Sequence, residues 1–235
     1  GVINLAGPNA RKVLEQTTDH DVSTEAFDFG AYREFAIAGK IPVRAMRLGF
    51  VGELSYEFHA PASYMQSLWD LLMEAGREFG IANFGLEAQS TLRLEKGHLI
   101  IGSESEQRTN LRDLGLDFLW YRHKPGAKTV GSVALEQTEG QKGRLKLVGI
   151  TTLDDQAPPP KDGSPIVDSR IRGWLCTARH STAIDKPVGM ALVDEELSAE
   201  GTELGIYEPG CAGELVKVRV IKMPFYDPQG ERMRI

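Results

Sequence analysis

Cysteine is scarce, with only Cys176 and Cys211 among 235 residues. Two thiols are too few for the disulfide framework of a small secreted domain, and they lack the close spacing of a zinc or redox motif. Reduced thiols in a cytoplasmic setting are therefore expected. No apolar stretch approaches the ~20 residues that a bilayer span requires, and no basic-then-apolar leader precedes the first apolar run. Like charges are not clustered, and 33 acidic residues against 27 Lys and Arg leave a net charge of −6. Nucleic-acid grooves and polybasic membrane patches need concentrated cations, so neither partner is expected.

Catalytic and cofactor signatures are also missing. His20, His59, His98, His123 and His180 are scattered without metal-ligand spacing, so no metal site is expected. There is no G-x-S-x-G, no P-loop and no G-x-G-x-x-G, and hence no nucleotide-binding loop on this chain. Spacing alone leaves the catalytic residues unassigned. The chain opens on Gly1 and enters the apolar run Val2-Ile3-Asn4-Leu5 at once, which suggests part of a longer protein.

Secondary-structure signals divide the chain. Residues 1–18 read as a strand followed by a helix that starts at Gly7-Pro8 and buries Val13 and Leu14. Residues 32–38, 40–50 and 54–60 alternate as strands, with Pro42 marking an edge or bulge and Val51-Gly52-Glu53 as the hinge between the last two. A helix follows over 63–80, with Ser63 as N-cap, an apolar stripe of Met65, Leu68, Trp69, Leu72 and Ala75, and Gly80 as its end. Leu86, Leu92 and Leu94 mark another helix, closed by Gly97. Beyond a polar connector, residues 144–153, 164–168, 171–179, 186–194 and 214–223 are short strands separated by Gly, Pro and Asp turns. The expectation is an α+β fold. An incomplete region with an antiparallel sheet (1–125) and a connector (126–142) precede a C-terminal all-β barrel, jelly-roll-like, over 143–235.

Two segments carry candidate function. On pattern alone Glu53 is a solvated turn residue, and Arg93 and Glu95 are charged positions at the rim of a buried helix. A longer pattern changes the reading of Glu53. R-x-G-F-V-G-E-L-S-Y-E-F (47–58) is followed by G-x-E-A-x-x-x-L-R-L-E-K-G-x-x-I-x-G (85–102), D-L-G-L-D-F (113–118) and F-Y-D-P-Q-G-E-R-M-R (225–234). Together these resemble the folate-binding aminomethyltransferase family, typified by the glycine cleavage system T-protein. Gly52-Glu53-Leu54-Ser55-Tyr56-Glu57 and the terminal Phe225-Tyr226-Asp227-Pro228 are most similar to the branch containing the C-terminal part of the heterotetrameric sarcosine oxidase alpha subunit.

The resemblance implies an enzyme that binds tetrahydrofolate and transfers a one-carbon unit from an N-methyl amine oxidation product, giving 5,10-methylenetetrahydrofolate. Any FAD or NAD would belong to other domains or to flavin-containing subunits. It implies folate contacts from Glu53, Arg93 and Tyr56, although a strand tyrosine also reads as core. T-proteins tend to carry an arginine where this chain has Gln89. The family's catalytic aspartate lies in an N-terminal segment that this chain does not contain. Two alternatives are a T-protein-type aminomethyltransferase and a non-catalytic folate-binding regulatory or assembly domain. Iron-sulfur-linked members of the latter kind carry K-G-C-Y where this chain has Lys96-Gly97-His98-Leu99.

Overall fold

The structure is a computed structural model and describes residues 1–106, 108–121, 129–209 and 213–235. Cys211 and His123 lie outside the described residues. The chain divides into two compact units, residues 1–93 with 227–235, and residues 94–226.

The first unit is built on a four-stranded antiparallel sheet. Its strands are β1 (Val2–Ala6), β2 (Tyr32–Ile37), β3 (Ile41–Met46) and β4 (Ser55–His59), in the spatial order β1-β4-β3-β2. Alternation puts Leu5, Ile37, Ile41, Val43, Ala45, Tyr56 and Phe58 on one face. There they pack against Val13 and Leu14 of helix α1 (Ala10–Glu15) and Leu68 and Leu72 of helix α2 (Met65–Ala75). The other face carries Glu34, Arg44 and Glu57. This is the pattern of an antiparallel sheet with one face buried.

Several local expectations change. The residues of β3 that pair with β4 are Arg44 to Met46. Pro42 pairs only across to Ala36 of β2, so its missing N–H removes no ladder bond on the β4 side. Pro8 precedes the N-cap Asn9 rather than starting α1. Ser63 is not an N-cap, because residues Ala62–Tyr64 form a 3₁₀ turn and Tyr64 occupies the cap position of α2. Trp69 is exposed rather than part of the buried stripe. Gly80 does end the region, in the left-handed conformation after a second 3₁₀ turn.

The second unit takes up the last residues of helix α3 (Leu86–Glu95), the short helices α4 (Asp117–Tyr121) and α5 (Ser132–Gln137), and a closed antiparallel barrel. The barrel strands are β5 (Leu145–Thr152), β6 (Pro165–Val167), β7 (Ile171–Ser181), β8 (Lys186–Asp194), β9 (Glu203–Tyr207) and β10 (Leu215–Ile221), closed in the order β10-β5-β8-β7-β6-β9. Five of these match the expected strands. β9 was not anticipated, and it is the strand that closes the barrel between β6 and β10. Helix α5 lies within the segment expected to be a plain connector. Ile150, Ile166, Leu175, Ala191, Val193, Ile206 and Val218 fill the barrel core.

A buried ion pair fastens the helical segment to the barrel. Asp113, 1% exposed in its side chain, receives both Nε at 2.7 Å and Nη2 from Arg144, and its Oδ2 also accepts from the Asn110 N–H at 2.8 Å. Its carbonyl accepts from Leu147 N–H in β5 at 2.7 Å. The hydrogen bonding of Arg144 to the Asp113 carboxylate raises the Arg144 pKa against the opposing effect of burial. The contacts of Asp113 give the D-L-G-L-D-F segment a structural role that its sequence had left unassigned.

Candidate functional site

Glu53 lies on an eight-residue irregular segment, 47–54, between β3 and β4, longer than the tight hinge expected. The reason is in the sequence. A Cβ on Gly49 would sit 2.4 Å from Ser55 Cβ, so the chain folds back against β4 where only glycine fits. Gly52 has φ +81° and turns the chain into Glu53, which Val51 and Leu54 flank at 6% and 1% exposure.

Both ends of the segment are fixed. Leu54 carbonyl accepts from Gly7 N–H at 2.9 Å. At the other end Arg47 is fully buried, and it donates from Nη1 to Phe27 carbonyl at 2.6 Å and from Nη2 to the Ile235 oxygen at 2.5 Å. Burial pushes the Arg47 pKa down, and nearby Tyr56 partly opposes this. A guanidinium in the core sets the geometry of the segment because its planar donors must each meet an acceptor. Arg47 was quoted as part of the motif, but nothing in its spacing marked it as buried.

The Glu53 side chain is 18% exposed, and its Oε1 accepts from Arg232 Nη1 at 3.0 Å. Arg232 comes from the C-terminal tail, 179 residues away in sequence. Arg232 stands in the terminal motif F-Y-D-P-Q-G-E-R-M-R, where its position carried no role of its own. Its available signal was the Asp227-Pro228-Gln229-Gly230 turn that precedes it.

The other two candidates are placed differently. Tyr56 is fully buried on β4, with its ring 5.7 Å from Phe27 and 6.3 Å from Phe58 between centroids. Its hydroxyl accepts from Arg11 Nε at 3.3 Å. Arg93, near the end of α3, is 2% exposed, so it does not stand at a solvated rim.

Glu95 is likewise buried, at 2% exposure. It accepts from Ser181 Oγ at 2.7 Å and from Ala183 N–H at 3.1 Å, while its carbonyl takes the N–H groups of Phe225 and Tyr226. The glutamate in L-R-L-E-K-G therefore anchors the turn between β7 and β8. Gly97, at φ +72°, follows as expected for the end of α3.

A separate cavity of about 490 Å³ in the first unit is bordered by β1, Trp69, Phe79, Phe84, Asn83 and Gln89. Glu53, Tyr56 and Arg93 do not line it. Among the described residues no group of three or more His, Cys, Asp or Glu could hold a metal ion, and no helix is long and apolar enough to cross a membrane.

An α+β unit on a four-stranded antiparallel sheet and a closed six-stranded antiparallel barrel are the two parts that define the class of fold. Residues 1–124 match the family model of the GCVT N-terminal domain, and residues 146–227 match that of the glycine cleavage T-protein C-terminal barrel domain. The chain belongs to the folate-binding aminomethyltransferase family represented by the glycine cleavage T-protein.

Mouse dimethylglycine dehydrogenase is 34% identical over 237 residues, covering 100% of this chain and 26% of its own length. The Rhizobium meliloti sarcosine oxidase subunit alpha is 34% identical over 241 residues, covering 98% and 24%. An aminomethyltransferase of Symbiobacterium thermophilum is 30% identical, covering 96% and 59%. The chain thus spans about a quarter of the first two relatives and about three fifths of the third. The crystal structure of the glycine cleavage system aminomethyltransferase T from Bartonella henselae superposes with a TM-score of 0.80 at 23% identity, over 97% of this chain and 60% of that one. It shares the fold.

Proposed function

We propose that this chain is the tetrahydrofolate-binding portion of a sarcosine oxidase alpha-like enzyme that transfers a one-carbon unit from an N-methyl amine oxidation product, forming 5,10-methylenetetrahydrofolate. Residues 1–125 would provide the folate-binding part and residues 143–235 the barrel. The observation that carries this reading is Glu53, a carboxylate held on a fixed turn with 18% of its side chain accessible.

The chemistry of that group suits a pterin. The ring offers N3–H and a 2-amino group side by side as donors, and a carboxylate presents two acceptor oxygens at matching separation. An amide would accept at one atom only. Bound tetrahydrofolate supplies the nitrogen that takes up the one-carbon unit. The chain's own contribution is to hold and orient that ligand, since a fixed pose lowers the entropic part of the barrier. Arg93 would supply a buried cation near the end of α3. Tyr56 would act from beneath, its packed ring stiffening the start of β4 and its hydroxyl engaged by Arg11. Flavin or nicotinamide chemistry, and the amine oxidation itself, would reside on other domains or subunits.

Substituting Glu53→Gln in the full-length protein tests the reading by titration calorimetry with 5-formyltetrahydrofolate. Loss of a charged hydrogen bond of about 1 to 3 kcal/mol predicts affinity weaker by about 5- to 150-fold. Unchanged affinity would remove Glu53 from the site. The similarity to the Symbiobacterium aminomethyltransferase favours a second reading, a T-protein-type enzyme without flavin partners. Purification of the native complex separates the two, because only the sarcosine oxidase-like form would bring FAD-containing subunits with it.

A further inference from the structure

We infer that Arg232 is a positioning residue that orients the Glu53 carboxylate for the two-donor edge of a pterin. The inference rests on the proposed folate reading of Glu53 and extends it to the C-terminal tail.

The tail Asp227–Ile235 is built so that Arg232 reaches Glu53. Asp227 takes a positive φ of 43°, and its carbonyl accepts from Gly230 N–H at 2.9 Å. Its side-chain oxygens accept from Glu231 N–H at 3.1 Å and Arg232 N–H at 3.3 Å. Immediately beyond Arg232, Met233 is 8% exposed. The Ile235 oxygen accepts from Arg11 at 2.6 Å and from the buried Arg47 at 2.5 Å. Arg232 is therefore held on both sides, and its Nη1 lies 3.0 Å from Glu53 Oε1.

Stability is a weak reason for this pair. The Arg232 side chain is 47% exposed, and ion pairs with that much solvent contact add little to folding. Orientation is a better account. An ionised carboxylate has two oxygens with about four acceptor positions, so a guanidinium N–H on Oε1 does not by itself saturate the group. The same contact restrains rotation about the terminal torsion of Glu53, which is otherwise broad and soft. The barrel family model stops at residue 227, so the group that orients Glu53 lies outside both matched segments.

The test is a double-mutant cycle in the full-length protein, with 5-formyltetrahydrofolate binding measured by calorimetry for Glu53→Gln, Arg232→Gln and the double variant. Thermal melting of each variant confirms folding. Arg232→Gln is expected to weaken binding about 3- to 10-fold in the parent but less than about 2-fold in the Glu53→Gln background, because coupled neighbours are not additive. Arg232→Lys, which keeps the charge but not the planar fork, should recover part of the loss. Equal effects of Arg232→Gln in both backgrounds, or no effect in the parent, would overturn the role of Arg232 while leaving Glu53 as a folate contact. No effect of Glu53→Gln would overturn both.

Discussion

Ser181→Ala should destabilise the barrel unit by about 2 to 3 kcal/mol. Ser181 is fully buried and donates to Glu95 Oε1 at 2.7 Å, while its own oxygen accepts from Ile184 N–H at 3.3 Å. The first contact is a short hydrogen bond to a carboxylate that is 2% exposed, the kind worth about 1.5 to 3 kcal/mol. The second is long and contributes a few tenths of a kcal/mol at most. Removing one oxygen leaves too small a void for water to restore the bond. Glu95 would retain only Ala183 N–H, at 3.1 Å, as a donor in that turn. Native-state hydrogen exchange gives both readouts. The protected β7 and β8 amides report the free energy of opening the unit, and the Ala183 amide reports the turn itself. A change below about 0.5 kcal/mol with unaltered Ala183 protection would refute the role of Glu95 as an anchor, since effects that small are typical of surface positions.

Two other perturbations follow from local geometry. Gly173 in β7 has φ +151°, and a Cβ there would lie 2.0 Å from the Leu192 carbonyl oxygen, so Gly173→Ala should cost about 3 kcal/mol or more in urea unfolding; a cost under 1 kcal/mol would contradict that strand contact. Asp168 has its pKa lowered from 3.8, chiefly by the Arg170 backbone N–H and further by Ser169 and Arg172. Because the folded value is depressed, its stabilisation is present above pH ~4 and is lost as pH falls through the folded pKa. Asp168→Asn should therefore flatten the acid limb of the stability profile, and NMR titration should find a midpoint below 3.8 in the folded protein.

The parts of the fold legible in the sequence were those with a strong period or punctuation. Gly, Pro and Asp turns separated five of the six barrel strands, an apolar run marked the first strand of the first sheet, and alternation marked its other three. β9 escaped because Gly205 interrupts its apolar pattern. The structure explains that glycine, since a Cβ there would lie 2.6 Å from Leu215 Cδ1. Helix α5 is six residues long, too short for periodicity to distinguish it from a polar connector. At the site, Glu53 and Arg232 both stood in quoted motifs, but their pairing was not legible. Their contact joins residues 179 apart, and no local rule links positions so distant. Charge type also misled at α3, where Arg93 and Glu95 are buried. Buried charges need partners, and for Glu95 these lie in a hairpin more than eighty residues downstream.

The proposed Glu53 clamp is tested most directly by a structure of the full-length protein with 5-formyltetrahydrofolate bound. The clamp predicts the two Glu53 oxygens within hydrogen-bond distance of pterin N3 and the 2-amino group, with Arg232 still on Oε1. A pterin seated elsewhere, for example in the cavity bordered by β1, Trp69 and Gln89, would contradict it.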